Sequence, residues 1–381
     1  MPPDVAMPRE VGASLVARAA SALRALRDQE GSALLLAFVR IGFGLLLLNE
    51  AWLATQQLRG PGFFGGYFHQ PMLPEWLVVS EGPYRALVFA QWALAVAIVS
   101  GRAARPALLI AAALLVYTML CDRLWFHHYR HTMAAFSTLL ALSPCDRHLV
   151  LGRADVPGNA PLWAANAMKA QVSVMYLASG GSKVFDPDWR GGLMMRGMVA
   201  SFSRLVQSRG IPGEWIDALQ TPAAASLLAK GAIATELSLA VALWWPPTRR
   251  LALWVGVLFH LSISLMTPVQ LFTAEMLCVY LVFVTPDRAA RVLRHDPVRD
   301  HFAGIVESLD WLGRYRLEPA KGAAFTIVDR DGTELRGTQA AACIFGTLPA
   351  LFLAWPLVAV IALATRKNRQ DAKDASRGGL S

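Results

Sequence analysis

The feature that most limits what this chain can become is a series of long apolar blocks that charges rarely interrupt. As helices, blocks of roughly 18 to 23 residues match the ~30 Å hydrocarbon core of a bilayer, and a helix satisfies its own backbone hydrogen bonds there. The blocks predict spans at 32–54, 85–101, 105–121, 129–145, 161–183, 223–246, 250–267 and 269–286. The fourth is short and carries Pro144; little more than Met-Thr-Pro separates the last two, as in a tight hairpin or one broken unit. The fold class read from this is mainly α, a polytopic membrane helical bundle of about eight spans. A hydrophobic content of 55% and a mean hydropathy of +0.40 argue against an ordinary soluble domain.

The net charge of +9 would suggest nucleic acid in a soluble protein. Here most arginines stand in short segments between apolar blocks, so the lipid bilayer is the expected partner and nucleic acid is not. With the N-terminus in the cytoplasm, Arg102 and Arg105, Arg147 and Arg153, Arg249 and Arg250, and Arg288, Arg291 and Arg294 all fall on the cytoplasmic side. That predicts a multi-pass protein of a bacterial-type cytoplasmic (inner) membrane with both termini cytoplasmic, and places the long loop 184–222 opposite. Residues 1–30 are not a signal peptide, because Arg18, Arg24 and Arg27 interrupt the apolar residues and no cleavage site follows. Val11, Leu15, Ala19, Ala22 and Leu26 recur at helical spacing and predict an amphipathic surface helix. Four distant cysteines without a CxxC support neither a disulfide framework nor a zinc site.

Beyond the membrane domain at 31–287 the pattern changes. "FTIVDRDGTELRG" alternates around Asp-Gly and predicts a β-hairpin. The apolar run 339–365 contains Pro349 and Pro356, which disturb a continuous helix, and a ninth span would carry the basic tail outside. A small soluble α/β domain over 288–370 followed by a disordered basic tail, 371–381, is expected instead. "LDWLGRYRLE", "IVDRDGTELRGTQAA" and "PLVAVIALATRKNR" resemble the later part of the DCC thiol-disulphide oxidoreductase-like family, a small thioredoxin-like fold. Where that family carries Asp-Gly-x-Cys-x-x-Cys, "HDPVRDHFAGIVES" holds no cysteine. Dithiol exchange needs an attacking thiolate and a resolving partner, so a degenerate domain with a structural or docking role is implied.

Ionisable residues at membrane depth are costly and are functional candidates by default. The first span carries Arg40 and Glu50, the sixth Lys230 and Glu236, the seventh His260 and the eighth Glu275. Arg40 and Glu50 either anchor helix ends or pair; Glu236 and His260 either belong to a site or satisfy each other; Lys230 is placed to snorkel. His127 and His131 in "HHYRHTM" share a helix face, but two histidines lack the third ligand of a dedicated metal site, and none is assigned. In "YLASGGSKVFDPDWRGG", Tyr176, Gly180 and Lys183 line one face, and the glycines leave room for a helix or a ligand. Lys183 reads either as a general base at a pocket edge or as an interface anchor beside Trp189.

The order of these features over roughly 30–286 resembles the HTTM superfamily, the membrane module of vitamin K-dependent gamma-carboxylases. The resemblance is carried best by "YLASGGSKVFDPDWRGG". It implies a membrane quinone or quinol as cofactor, Lys183 as the base that takes its proton, and His131 in support of developing negative charge. Tyr176, Gly180, Glu236 and His260 are the candidates for lining the ligand site. The chain departs from the carboxylases in ending on the short α/β domain, in having Tyr129 and Arg130 where an asparagine is usual, and in one extra residue before Trp189. A non-catalytic membrane scaffold or partner-binding protein is the alternative, and a transporter a further one.

Overall fold

The computed structural model describes residues 9–58, 70–123, 126–284 and 290–378. It divides into two compact units, Met1–Pro286 and Asp287–Ser381.

In the first unit the helices are α1 (Arg9–Arg27), α2 (Leu34–Leu58), α3 (Glu81–Ser100), α4 (Ala104–Cys121), α5 (His128–Ala141) and α6 (Trp163–Phe185). Four short helices follow: α7 (Pro187–Gly191), α8 (Leu193–Ser201), α9 (Ser203–Ser208) and α10 (Gly213–Leu219). Then come α11 (Pro222–Ala242), α12 (Pro246–Met266) and α13 (Gln270–Tyr280), the last continued by a 3-10 turn, Leu281–Val284. α1 is helical as expected, although the side chains of Val11, Leu15 and Ala19 lie outside the described residues, as does Arg288.

Eight apolar segments were expected to form helices, and each does. Only α2, α3, α4, α11 and α12 among them are both long and apolar enough to cross a membrane on their own. At about 1.5 Å per residue, the 14 residues of α5 rise only ~21 Å and the 11 of α13 still less. α6 is long enough at 23 residues, but Asn166, Lys169 and Lys183 make it more polar. Its polar positions are tolerable because neighbours receive them: Trp244 Nε1 donates to Ser173 Oγ at 2.7 Å, and Ser173 donates to the Ala240 carbonyl at 2.9 Å.

The core of this unit gathers Phe43, Ile98, Leu115, Phe136, Leu140 and Met168 from α2 through α6. Arg40 lies within it, fully buried, and does not snorkel. Its guanidinium donates to the carbonyls of Cys145, His148 and Leu149 at 2.9, 3.1 and 2.6 Å, closing the chain end that follows α5. Gly101 has φ +80° and faces that guanidinium; a Cβ there would meet Arg40 Nη1 at 2.7 Å. Arg209, in the long loop, likewise closes the end of α12 by donating to the carbonyls of Ser264, Leu265 and Thr267. A two-residue ladder, β1 (Glu30–Gly31) with β2 (Ala160–Pro161), joins the end of α1 to the start of α6.

The second unit has β3 (Arg291–His295), α14 (His301–Leu309), β4 (Tyr315–Pro319), β5 (Thr326–Val328), β6 (Glu334–Arg336), α15 (Thr338–Phe345) and α16 (Trp355–Gly378). The sheet order is β4-β3-β5-β6, with β3 and β4 parallel and the other pairs antiparallel. The β5–β6 hairpin turns at Asp331-Gly332, where Gly332 takes φ +84°. Leu293, Ala303, Val306, Ile327, Ala340 and Ile344 form its core. The 339–365 run is divided: α15 stops at Phe345, a 3-10 turn occupies Pro349–Ala354, and α16 continues to Gly378, into the stretch read as a disordered tail. Pro349–Arg366 is also long and apolar enough to cross a membrane, by length and composition alone.

Candidate functional site

Lys183 follows Tyr176 by seven positions, two turns of α6, and the face between them is turned to α11, α12 and α13. At its upper end Lys183 Nζ donates to both oxygens of Glu236 at 2.6 Å and to Ser179 Oγ at 2.7 Å. Ser179 in turn donates to Glu236 Oε1 at 3.1 Å. The Glu236 side chain is 8% exposed and that of Lys183 15%, so the pair is largely withdrawn from solvent with the amine at its outer edge. Nζ also stands 5.0 Å from the centre of the Trp189 ring, a cation–π contact. Asp186 places that ring by capping α7 with its carboxylate, which accepts from the backbone N–H groups of Asp188 and Trp189.

Two turns below Lys183, the Tyr176 hydroxyl lies 2.7 Å from His260 Nε2 and hydrogen-bonds to the Tyr280 hydroxyl. All three side chains are buried, and Phe259 and Phe272 enclose the imidazole edge-on. Among the described residues His260 Nδ1 meets no hydrogen-bond partner. The arrangement with Nε2–H donating to Tyr176 leaves only an acceptor unpaired on His260, which costs less than an unpaired donor. Gly256 makes room for Tyr280, whose ring would collide with a Cβ there.

Glu236 and His260 therefore do not satisfy each other; each takes a different partner on α6. Gly180 is filled rather than open: a Cβ there would approach Leu237 at 3.0 Å and Glu236 Cβ at 3.3 Å, so the missing side chain seats α11. Gly181 has free space around it. Lys183, Tyr176, Gly180, Glu236 and His260 thus meet along one interface of four helices. Ser179 and Tyr280 join them and were not singled out in the sequence. Ser179 had a signal, standing four residues before Lys183 on the same face; Tyr280 had none beyond being a tyrosine in an apolar run.

His131 stands apart from this cluster. It is exposed and lines an apolar groove of about 670 Å³ with Leu109, Ala112 and Val116 of α4, Ala134 and Thr138 of α5, and Leu73 and Leu77. Neighbouring Arg130 points inward instead: its Nε donates to Glu50 Oε2 at 2.8 Å, both side chains being under 5% exposed. Thr132 Oγ1 lies 2.8 Å from Glu275 Oε2, which accounts for one oxygen of that fully buried acid. Lys230 is exposed, as a snorkelling residue is. Among the described residues no three histidine, cysteine or acidic side chains group as metal ligands.

Apolar helices joined by buried ion pairs and tyrosine–histidine contacts define a multi-pass membrane protein with a polar interior. Residues 28–288 match the HTTM domain, and the chain belongs to the HTTM family. No curated protein and no solved structure matches it.

Proposed function

We propose that the membrane unit binds a lipid-soluble hydroxylated aromatic of the quinol type and that Lys183, with Glu236, takes its proton. The observation that carries this reading is the position of Lys183: its Nζ is held by Glu236 and Ser179 on one side and lies at the outer edge of the cluster beside an aromatic face on the other. The residues suit such a ligand chemically, with an amine and a hydroxyl for its oxygen and Trp189 for its ring. A quinol, when bound, supplies an acidic O–H and a reducing ring. The chain's part is to hold and move the proton. The Lys183 amine and the Glu236 carboxylate, 2.6 Å apart, offer adjacent positions between which a proton can be held. Tyr176, His260 and Tyr280 extend the hydrogen-bonding groups inward and fix the interface that carries Lys183. His131 supports negative charge in this proposal only with a ligand that also reaches its groove.

The finer assignments belong to the same proposal: eight segments crossing or entering a bacterial cytoplasmic membrane, both termini cytoplasmic, and a thioredoxin-like second unit of the DCC type without its cysteines. The basic clusters support the orientation. The β4-β3-β5-β6 order with a single parallel pair supports the second unit's reading. Saturable thermal stabilisation of the detergent-purified protein by a quinone series tests the ligand class. Absence of any shift across the series favours the non-catalytic scaffold, for which the tight seating of α11 on Gly180 already speaks.

A further inference from the structure

The two long faces of α16 differ in their surroundings. One is held within the second unit: Thr365 Oγ1 meets Thr338 Oγ1, at the start of α15, at 2.8 Å, and Ala362 is buried. α15 is itself part of that unit's core through Ala340, Cys343 and Ile344. The other face is apolar and open. Leu357, Val360 and Ile361 are 68, 63 and 45% exposed, and Leu353, just before α16, is 53% exposed. Positions 353, 357, 360 and 361 follow the spacing of one helical stripe. The sequence then turns abruptly basic with Arg-Lys-Asn-Arg from Arg366.

A stripe of this kind is uncommon on a surface that faces only water and marks an interaction site. Its length and composition alone would let Pro349–Arg366 cross a bilayer. Two observations oppose crossing. The Thr338–Thr365 bond and the burial of Ala362 fasten α16 along its side to a unit built on a four-stranded sheet, so surrounding the helix with lipid requires stripping α15 from it. In addition, Pro349 and Pro356 divide the apolar run into the 3-10 turn Pro349–Ala354 and α16, rather than one uninterrupted α-helix. A helix with one side packed, the other apolar and a basic end matches the chemistry of an in-plane interfacial helix. The bilayer is also the solvent of the rest of this chain.

We propose that α16 docks the second unit on the membrane surface, lying in the plane of the bilayer with Leu353, Leu357, Val360 and Ile361 among the acyl chains and Arg366 against anionic headgroups. The proposal does not depend on any chemistry at Lys183. It gives this unit, which lacks a Cys-x-x-Cys pair, a role that needs no thiol.

The test uses the full chain in nanodiscs of phosphatidylcholine and phosphatidylglycerol, with a nitroxide placed in turn at Leu357, Val360, Arg366 and, as a control on the sheet, Glu334. These positions are exposed, and resistance of the buried Cys343 thiol to reagents checks that each variant keeps its fold. Collision with oxygen and with a water-soluble nickel chelate measures depth. The expected result is oxygen-favoured labels at Leu357 and Val360, about 5–10 Å below the phosphates, with a nickel-favoured label at Glu334. Removing phosphatidylglycerol should raise nickel access at Leu357 and Val360. Nickel-favoured labels at Leu357 and Val360 would overturn the proposal, since the face would then be free in water. Low access to both reagents would also overturn it, placing protein from this chain or a second copy over the stripe. So would a label at Val360 near the bilayer centre with one at Arg366 emerging on the far side, the result of a crossing helix.

Discussion

Lys183 Nζ lies 2.6 Å from each oxygen of the Glu236 carboxylate, a two-oxygen contact between α6 and α11 in which both side chains are largely buried. The pair is a single charge-neutral object, and removing either member leaves the other without its counter-ion. Lys183→Met or Glu236→Leu alone should cost about 3–5 kcal/mol, whereas the double variant should recover most of that loss. Chemical unfolding of the three variants in detergent provides the cycle; equal and additive losses would show that the two charges do not depend on each other.

A Cβ on Gly180 would stand 3.0 Å from the Leu237 side chain, which would have to give way to it. Gly180→Val should therefore lower stability by about 1–3 kcal/mol through overpacking, and Leu237→Ala in the same chain should relieve part of it. Thermal melts of both show this directly. A stable Gly180→Val that loses quinone-induced stabilisation would instead identify the position as ligand-lining.

Arg40 closes three carbonyls after α5, and Gly101 keeps its guanidinium in place. Arg40→Met should destabilise the membrane unit by about 2–5 kcal/mol, since each buried acceptor left unpaired costs on the order of 1–3 kcal/mol. Gly101→Ala should act in the same direction through the same contact. Unfolding midpoints and the yield of monodisperse protein measure both.

In the second unit, Asp296 follows β3 and accepts from the backbone N–H groups of Val298 and Gly322 at 3.0 and 2.9 Å. Those bonds hold its carboxyl below the usual carboxylate range. A depressed folded-state value contributes stability above the unfolded value and loses it as pH falls through the folded one. Asp296→Asn should accordingly weaken protection of β3 amides against hydrogen exchange at neutral pH. The difference from wild type should vanish once the medium is more acidic than the folded carboxyl.

The positions of the long helices α2 to α6 and α11 to α13 were legible because each is a separate apolar block, whereas the short helices α7 to α10 fall in the stretch 184–222 that reads as a loop. Which blocks stand alone as spans was not: α5 and α13 are cut short by backbone geometry that an apolar run does not reveal. Tyr176, Gly180 and Lys183 could be placed on one face of α6 by spacing alone. Their partners could not, because the pairing of Glu236 with Lys183 rather than with His260 depends on how α11 and α12 rotate against α6. The choice of Arg40 to close carbonyls was equally hidden, since a lone arginine in an apolar block looks the same whether it caps, pairs or snorkels. The run 339–365 was read correctly as unable to form one continuous helix from its prolines, but the exposed stripe of α16 emerges only once one face is seen packed on α15.

The central claim is that Lys183 exchanges a proton with a bound quinol, and Lys183→Arg tests it most directly. Arginine can keep the ion pair with Glu236, and so the fold, yet it does not give up its proton near neutral pH. Oxygen-dependent quinol consumption should be measured on wild type and Lys183→Arg purified in detergent, alongside thermal stabilisation by the same quinol. The account predicts stabilisation of both proteins with turnover by wild type alone. Equal turnover by Lys183→Arg would contradict it, as would the absence of both binding and turnover in wild type, which would leave Lys183 an anchor within a non-catalytic scaffold.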